Sequence, residues 1–317
     1  MKKAIVVSLL ICSAGAFAQD FPQRAVRIVV PFPPGGSTDI TARLVAPRLQ
    51  EAWKQPVLVE NRPGAGANIG AEFVAKSAPD GHTLLLATTA LAASAAIAEK
   101  LAYDPQKDLV PVAFVSSIAN VLVVPTSLPA STPQEFVALA RAQLGRLNFA
   151  SPGATTGQRL TFELLKQMTG IDVVHVPYKG GAPAGQAVIA GEVQSMIMNV
   201  VEAVPHLKSG KLKAIAATTA RRAAMLPEVP TLAETVAPGL DASVWQGVLA
   251  PGGTPAQTVE RISRDLAAVL AHPEVRERLA GMGMELAPGS PAQFERFLSE
   301  EIRKWSRVAK AANVKAE

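Results

Sequence analysis

Val26-Arg-Ile-Val-Val-Pro-Phe-Pro-Pro-Gly-Gly-Ser-Thr-Asp39 decides how this chain reads. The apolar run predicts a strand over Arg24 to Val30, Pro31 to Gly36 breaks it, and a helical pattern begins directly behind. A strand feeding a glycine-rich turn and then a helix leaves the first helical N–H groups facing the crevice beyond the strand's carboxyl end. Gly35 and Gly36 let a ligand approach the backbone, Ser37 is placed to cap the helix, and the helix dipole favours an anion there. An ordinary strand-to-helix connection with a good cap is the other reading of these residues.

The same alternation continues on both sides. The helix behind the turn carries Ile40, Leu44, Val45, Leu49 and Trp53 on one face, with a kink expected at Pro47. Strands follow at Pro56 to Glu60, Thr83 to Ala87 and Val110 to Val115, the second separated from the first by a turn at 64–70 and a helix through Lys76. Val121 to Val124 opens a second series, marked by the capping box Thr132-Pro-Gln-Glu135, with strands at 147–150, 173–176, 193–198 and 212–217. A proline-rich connection, Arg221 to Leu240, leads to a returning strand at Ala242 to Ala250. A helix capped by Thr254-Pro255, a short helix stopped by Gly281, and a last helix capped by Ser290-Pro-Ala-Gln293 complete the chain. Strand and helix in alternation argue for the α/β class with mainly parallel sheet.

A chain of 317 residues has room for two domains, and 49% hydrophobic against 18% charged residues excludes a disordered chain. Met1-Lys2-Lys3, the apolar run Ala4 to Gly15 and Ala16-Phe17-Ala18 read as a secretory signal over 1–18, cleaved after Ala18. Cys12, the one cysteine, falls inside it, so the mature chain has no disulfide. Losing Lys2 and Lys3 lowers the net charge from +5 to +3, and no basic run is interleaved with aromatics, which argues against nucleic acid.

Catalytic constellations do not emerge. Gly64-Ala-Gly-Ala-Asn-Ile-Gly70 imitates a dinucleotide fingerprint, but the following strand ends in Thr88-Thr89 where a ribose-binding acid is needed. There is no Gly-x-Ser-x-Gly and no His-Glu-x-x-His, and His82, His175, His206 and His272 are scattered and read as structural. Ser151-Pro-Gly-Ala-Thr-Thr-Gly157 is the second series' counterpart of the opening turn, rich in hydroxyls ahead of a helix that carries Arg159. His175-Val-Pro-Tyr-Lys-Gly180 ends a strand toward the same crevice, with Tyr178 at its entrance and Lys179 reading as a surface residue.

Pro31-Phe-Pro-Pro-Gly-Gly-Ser-Thr-Asp39, Val59-Glu-Asn-Arg-Pro-Gly-Ala-Gly66, Pro79-Asp-Gly-His-Thr-Leu-Leu85, His175 to Gly180, Pro227-Glu-Val-Pro-Thr231 and Trp245-Gln-Gly-Val-Leu-Ala-Pro251 occur in order across the mature chain. Together they resemble the Bug/TctC family, the periplasmic solute-binding proteins of tripartite tricarboxylate transporters. The resemblance implies a type II-like, two-lobed α/β binding protein, each lobe a mainly parallel sheet flanked by helices, with the ligand in the cleft between lobes. The lobes are expected over 19–119 plus 243–317 and over 120–242. It further implies a periplasmic monomer that captures a small carboxylate for membrane transporter subunits, without catalysis, cofactor or metal.

Carried onto this chain, the resemblance gives a first-lobe turn of Pro33, Gly35, Gly36 and Ser37 with Asn68, Thr88 and Thr89 beside it. The second-lobe turn is Ser151, Gly153, Ala154, Thr155 and Thr156; Tyr178, from its place at the end of its strand, and Arg159 and Asn199, where the chain departs from the family, are added to the site, Arg159 for a charge-assisted bond to a second carboxylate. The chain departs from the family in having Arg159 where relatives commonly have His, and Gln186, Gln194 and Asn199 where they often have acids. Loss of those acids removes a partner for an ammonium group and points to an amine-free di- or tricarboxylate or aromatic acid. A binding protein that reports its ligand to a sensor kinase fits the same pattern, whereas a secreted α/β hydrolase is opposed by the missing nucleophile elbow.

Overall fold

The computed structural model describes residues 21–98, 100–153 and 155–314. The expected signal, its cleavage point and Ala154 lie outside them. Val26–Val30 forms β1, parallel to both β2 (Val57–Asn61) and β3 (Thr83–Thr88). Ile28 and Val30 pack into one apolar layer and Val29 into the other, which is why this strand is a continuous apolar run. The helices between are α1 (Ser37–Trp53), α2 (Asn68–Ala75) and α3 (Thr89–Ile97), and α1 continues past Pro47 to Trp53.

The next strand corrects the expected pattern. Val110 to Val115 and Val121 to Val124 belong to a single strand, β4 (Leu109–Pro125). No glycine or proline lies between Val112 and Val124 to turn the chain, and register shifts at Pro111/Ala113 and Phe114/Ser116 absorb the bend. Beyond it come α4 (Pro133–Ala142), β5 (Asn148–Ser151), α5 (Gly157–Thr169), β6 (Val174–Pro177), α6 (Gly181–Ala190), β7 (Ser195–Asn199), α7 (Val200–Lys208) and β8 (Leu212–Ala217). The proline-rich connection holds a short helix, α8 (Leu232–Thr235), closed by a Thr231/Glu234 capping box. The chain returns through β9 (Ser243–Pro251), α9 (Ala256–Ala271), α10 (Pro273–Gly281), β10 (Met284–Gly289) and α11 (Pro291–Ala311).

Capping boxes close α4 and α11 as the sequence predicts. At α9 the cap is Pro255, and the Thr254 hydroxyl donates to Pro251 O at 2.7 Å instead. β10, which the pattern gave no sign of, is a bulged antiparallel strand on β4. Its Pro288-Gly289 ending suits an edge and hides it from a propensity reading.

The strands form one curled sheet in the order β2-β1-β3-β9-β4-β7-β5-β6, with β8 and β10 also on β4. Pairing is parallel in the outer triplets and antiparallel wherever β4 or β9 takes part. β4 pairs with β9 from Leu109 to Ala119, then with β7 from Asn120 and β8 from Val121. It is therefore common to two lobes. On one side of the sheet α1 and α9 cover the apolar layer; on the other α3, α5 and α11 do so. α11 reaches both lobes, since Gln167 of α5 donates to Val308 O at 2.9 Å.

Candidate functional site

β1 delivers the chain into the Pro31–Gly36 turn, and Asp39 holds that turn from inside. Asp39, 3% exposed, accepts the Gly35 N–H at 3.0 Å, Arg43 Nε at 3.0 and 3.1 Å, and Asn61 Nδ2 at 2.9 Å. Asn61 also donates to Phe32 O at 3.1 Å, so the end of β2, the turn and α1 form one network. Burial pushes the Asp39 carboxyl up, but the bonds from Arg43, the Gly35 N–H and Asn61 outweigh it and hold the group at about 2. Two expectations change here. Gly36, not Ser37, is the N-cap of α1, with no side chain capping it. The Gly35 N–H is taken by Asp39 rather than offered to the crevice. Pro33, Gly35 and Gly36 are exposed, and the Ser37 hydroxyl receives Gln246 Nε2 at 3.5 Å.

Thr88 caps α3 by accepting the Ala90 N–H at 3.2 Å. The Thr89 hydroxyl accepts the Trp245 N–H at 3.0 Å and donates to Ser243 O at 3.3 Å, so it ties α3 to β9 and is not directed at a ligand. Asn68 is likewise engaged internally, donating to Ala65 O at 2.8 Å and accepting from Tyr103 at 3.0 Å. It braces a loop in which Gly64, Ala65, Gly66 and Ala67 all have positive φ, 47° at Ala65 and 80° at Ala67. Left-handed alanines cost about 1–2 kcal/mol each and persist only where the surroundings dictate them.

In the second lobe the fully buried Ser151 hydroxyl donates to Gly153 O at 2.9 Å and stands 2.7 Å from His175 Nε2. The Thr156 hydroxyl donates to the same Gly153 O at 2.9 Å and caps α5 by accepting the Arg159 N–H at 3.4 Å. Ser151 and Thr156 thus shape the turn from within. Arg159 follows in the first turn of α5, with its Nε buried. Burial, then the charges of Arg159 and Lys166, pull His175 down to about 4, so this imidazole is neutral at physiological pH. Tyr178 donates its N–H to Ser151 O at 3.0 Å, which brings it to the turn. Asn199 ends β7, and the pairing of Ala150 with Met196 sets it level with Gly153.

The second-lobe turn and the start of α5 touch the first lobe at the 64–67 loop and at the start of α3. A Cβ on Gly66 would lie 2.9 Å from Thr155 Oγ1, and one on Gly157 would lie 2.9 Å from Thr89 Cγ2. Between them runs β4 from Ser116 to Asn120, about 13 Å at the usual rise per residue. Gln246 stands opposite both Thr88 and Ser116, and Asn120 stands opposite Asn199. Gln246, Asn120 and Asp39 are the residues that sequence reasoning missed. A polar residue inside an apolar strand was the available signal for the first two.

The specificity argument from missing acids also changes. Gln194 lies at the far end of β7, where its Oε1 accepts the Asn148 N–H at 2.9 Å, and Gln186 is exposed on α6. Only Asn199 is at the crevice, and its Nδ2 donates to Glu202, an exposed acid three residues on, at 3.4 Å. Among the described residues no group of three or more His, Cys, Asp or Glu could hold a metal, and no helix is long and apolar enough to cross a membrane. Surface grooves of about 460 and 680 Å³ lie elsewhere, along α9 and beside β8, and do not include the turn residues.

The sequence comparisons agree with this geometry. The family described as tripartite tricarboxylate transporter family receptor (TctC) matches residues 41–314. BugT of Bordetella pertussis is 35% identical over 316 residues, covering 98% of this chain and 97% of that one. A structure from R. palustris with adipate is 36% identical, with TM-score 0.82 over 93% of this chain and 99% of that one. MatC from Rhodopseudomonas palustris with bound malate is 35% identical, with TM-score 0.78 over 91% and 99%. A chain that matches this family over residues 41–314 and these proteins over nearly their whole length belongs to the TctC family of tripartite tricarboxylate transporter receptors, the Bug-type periplasmic solute-binding proteins.

Proposed function

We propose that this protein captures an amine-free dicarboxylate between its two lobes in the periplasm and delivers it to the membrane subunits of a tripartite tricarboxylate-type transporter. The observation that carries the reading is the contact between the loop after β2, at Gly66, and the turn after β5, at Thr155, which brings together the ends of the two parallel strand triplets on either side of β4 and β9. The relatives with adipate and malate support the ligand class. The lobes divide at 19–119 plus 243–317 and at 120–242, a division supported by the change of partner along β4.

Gly36 and Ser37 on one side, with Pro33 shaping their turn, and Gly153, Thr155, Thr156 and Tyr178 on the other, enclose one carboxylate through backbone N–H groups and hydroxyls. Arg159 adds a charge-assisted bond to the second carboxylate. The Ser151–His175 contact is structural, because an imidazole held at about 4 is a poor base for its neighbour at neutral pH.

The test is a thermal-shift and calorimetric panel of carboxylic acids on the mature protein. A true ligand at 100 times its dissociation constant stabilises by about 2.7 kcal/mol. Arg159→Ala should weaken the best diacid about tenfold or more while sparing a monoacid of the same length. Absence of any shift across the panel refutes the reading, and loss of transcriptional induction without loss of uptake in a deletion strain would assign a sensory role instead.

A further inference from the structure

The first-lobe loop that meets Thr155 is held in an unfavourable shape. Ala65 and Ala67 are left-handed, at φ of 47° and 80°, although neither is glycine. An alanine there reverts to right-handed or extended backbone unless its neighbours forbid it. Three hydrogen bonds within the first lobe supply the restraint. Ala67 donates its N–H to Gly64 O at 3.0 Å, the Ser94 hydroxyl donates to Gly66 O at 3.3 Å, and Asn68 Nδ2 donates to Ala65 O at 2.8 Å. The Asn68 N–H goes to the same Ala65 carbonyl. One residue thus fixes the peptide plane between the strained Ala65 and the Gly66 that faces Thr155.

An asparagine amide can present either its oxygen or its nitrogen to a neighbour, and here the choice is imposed from outside the loop. The Tyr103 hydroxyl donates to Asn68 Oδ1 at 3.0 Å, which leaves Nδ2 turned toward Ala65. Tyr103, 7% exposed, lies between α3 and β4 and packs into the apolar layer that holds Ala87 and Leu91. Burial, then the charge of Glu72, pushes its phenol above the ordinary value, so the hydroxyl keeps the proton it donates.

We propose that Tyr103 and Asn68 are positioning residues that hold the 64–67 loop in its strained shape, so that the first lobe meets the second-lobe turn ready to close. This rests on the carboxylate-capture reading, since closure on a ligand is what the loop serves. Tyr103 acts through Asn68 and Ala65 on Gly66, not on the ligand itself. Two consequences separate this role from simple packing. Loosening the brace lowers the fraction of molecules competent to close, and apparent affinity falls with that fraction. Removing the strain removes the need for the brace, because glycine at position 65 adopts the left-handed region freely and the exposed Ala65 methyl leaves no cavity behind.

Hydrogen exchange on the ligand-free mature protein, together with calorimetry using adipate and malate, tests this. In Tyr103→Phe the Ala67 amide should exchange about tenfold faster, and affinity for whichever acid binds should fall about fivefold or more. The melting temperature should drop by only about 2 °C. Adding Ala65→Gly should bring both exchange and affinity back to within about twofold of Ala65→Gly alone. Asn68→Ala should show the same losses and the same rescue, which a residue touching the ligand directly would not, and it carries the test if Tyr103→Phe fails to fold. Unchanged exchange at Ala67 in both variants overturns the proposal. So does an affinity that survives loss of the brace, or a loss that Ala65→Gly leaves in place. If no acid binds while exchange still quickens and glycine still reverses it, the brace is upheld and the capture reading falls.

Discussion

Glu301 on α11 accepts the indole N–H of Trp245 on β9 at 3.1 Å. The same oxygen accepts Trp305 Nε1 at 2.8 Å, and Lys304 pairs with the other oxygen. All three of Glu301, Trp245 and Trp305 are buried, so the C-terminal helix fixes the strand that carries Gln246 into the cleft. Glu301→Ala strands two indole donors and is expected to cost about 3 kcal/mol, read by urea denaturation. A loss below about 1 kcal/mol would show that the pair does not anchor α11.

Gly157→Ala places a methyl group against Thr89, at the point where α3 and α5 meet. Alanine suits the helix better than glycine, but its methyl would lie 2.9 Å from Thr89 Cγ2, so Thr89 must shift or the lobes must part, and stability should fall by about 1 kcal/mol. Closure is what suffers: affinity for the best diacid should fall about tenfold. Unchanged affinity by calorimetry would mean that the ligand-bound lobes do not meet at this point.

Asp39→Asn removes the charge that gathers Gly35, Arg43 and Asn61. The folded value of about 2 lies below the ordinary 3.8, so the stabilisation is complete above 3.8 and is lost as pH falls through about 2. With the half-exposed Arg43 screened by solvent, the substitution should cost about 1–2 kcal/mol at pH 7. The difference between the two proteins should shrink in acid, which unfolding at pH 7 and pH 2 will measure.

His175 should remain neutral well below its ordinary 6.5, its folded value being about 4. Stability linked to the neutral ring is fully present above 6.5 and is lost as pH falls through about 4. His175→Gln should flatten the stability profile over that window. Arg159→Gln should move the imidazole back toward 6.5, since its charge is one of the causes of the depression. An NMR titration showing His175 near 6.5 in the wild type would refute both.

The alternation of strand and helix was legible because β1 and β3 are apolar on both faces and their turns are rich in glycine, proline and threonine. β4 was not, because a 17-residue strand that changes partners midway has the same local pattern as two short ones. At the site, the turns were found from their glycines and hydroxyls, yet their inner wiring was invisible. Whether the Gly35 N–H faces a ligand or Asp39, and whether Thr89 faces a ligand or Trp245, depends on contacts 4 and 156 residues away in the chain. Gln246 could be placed opposite Thr88 only once β9 was known to lie beside β3.

That insertion of β9 between β3 and β4 also dictates an order of assembly. Strands β5 to β8 find every strand partner within 109–217, whereas the sheet around β1 cannot close until residues 243–251 arrive, more than 150 positions after β3. Closing so long a loop adds little to the equilibrium cost but slows the search for native contacts. The middle of the chain is thus able to fold while its first strands still wait, and the half of the cleft built on β1 and β3 is the last part of the molecule to become competent.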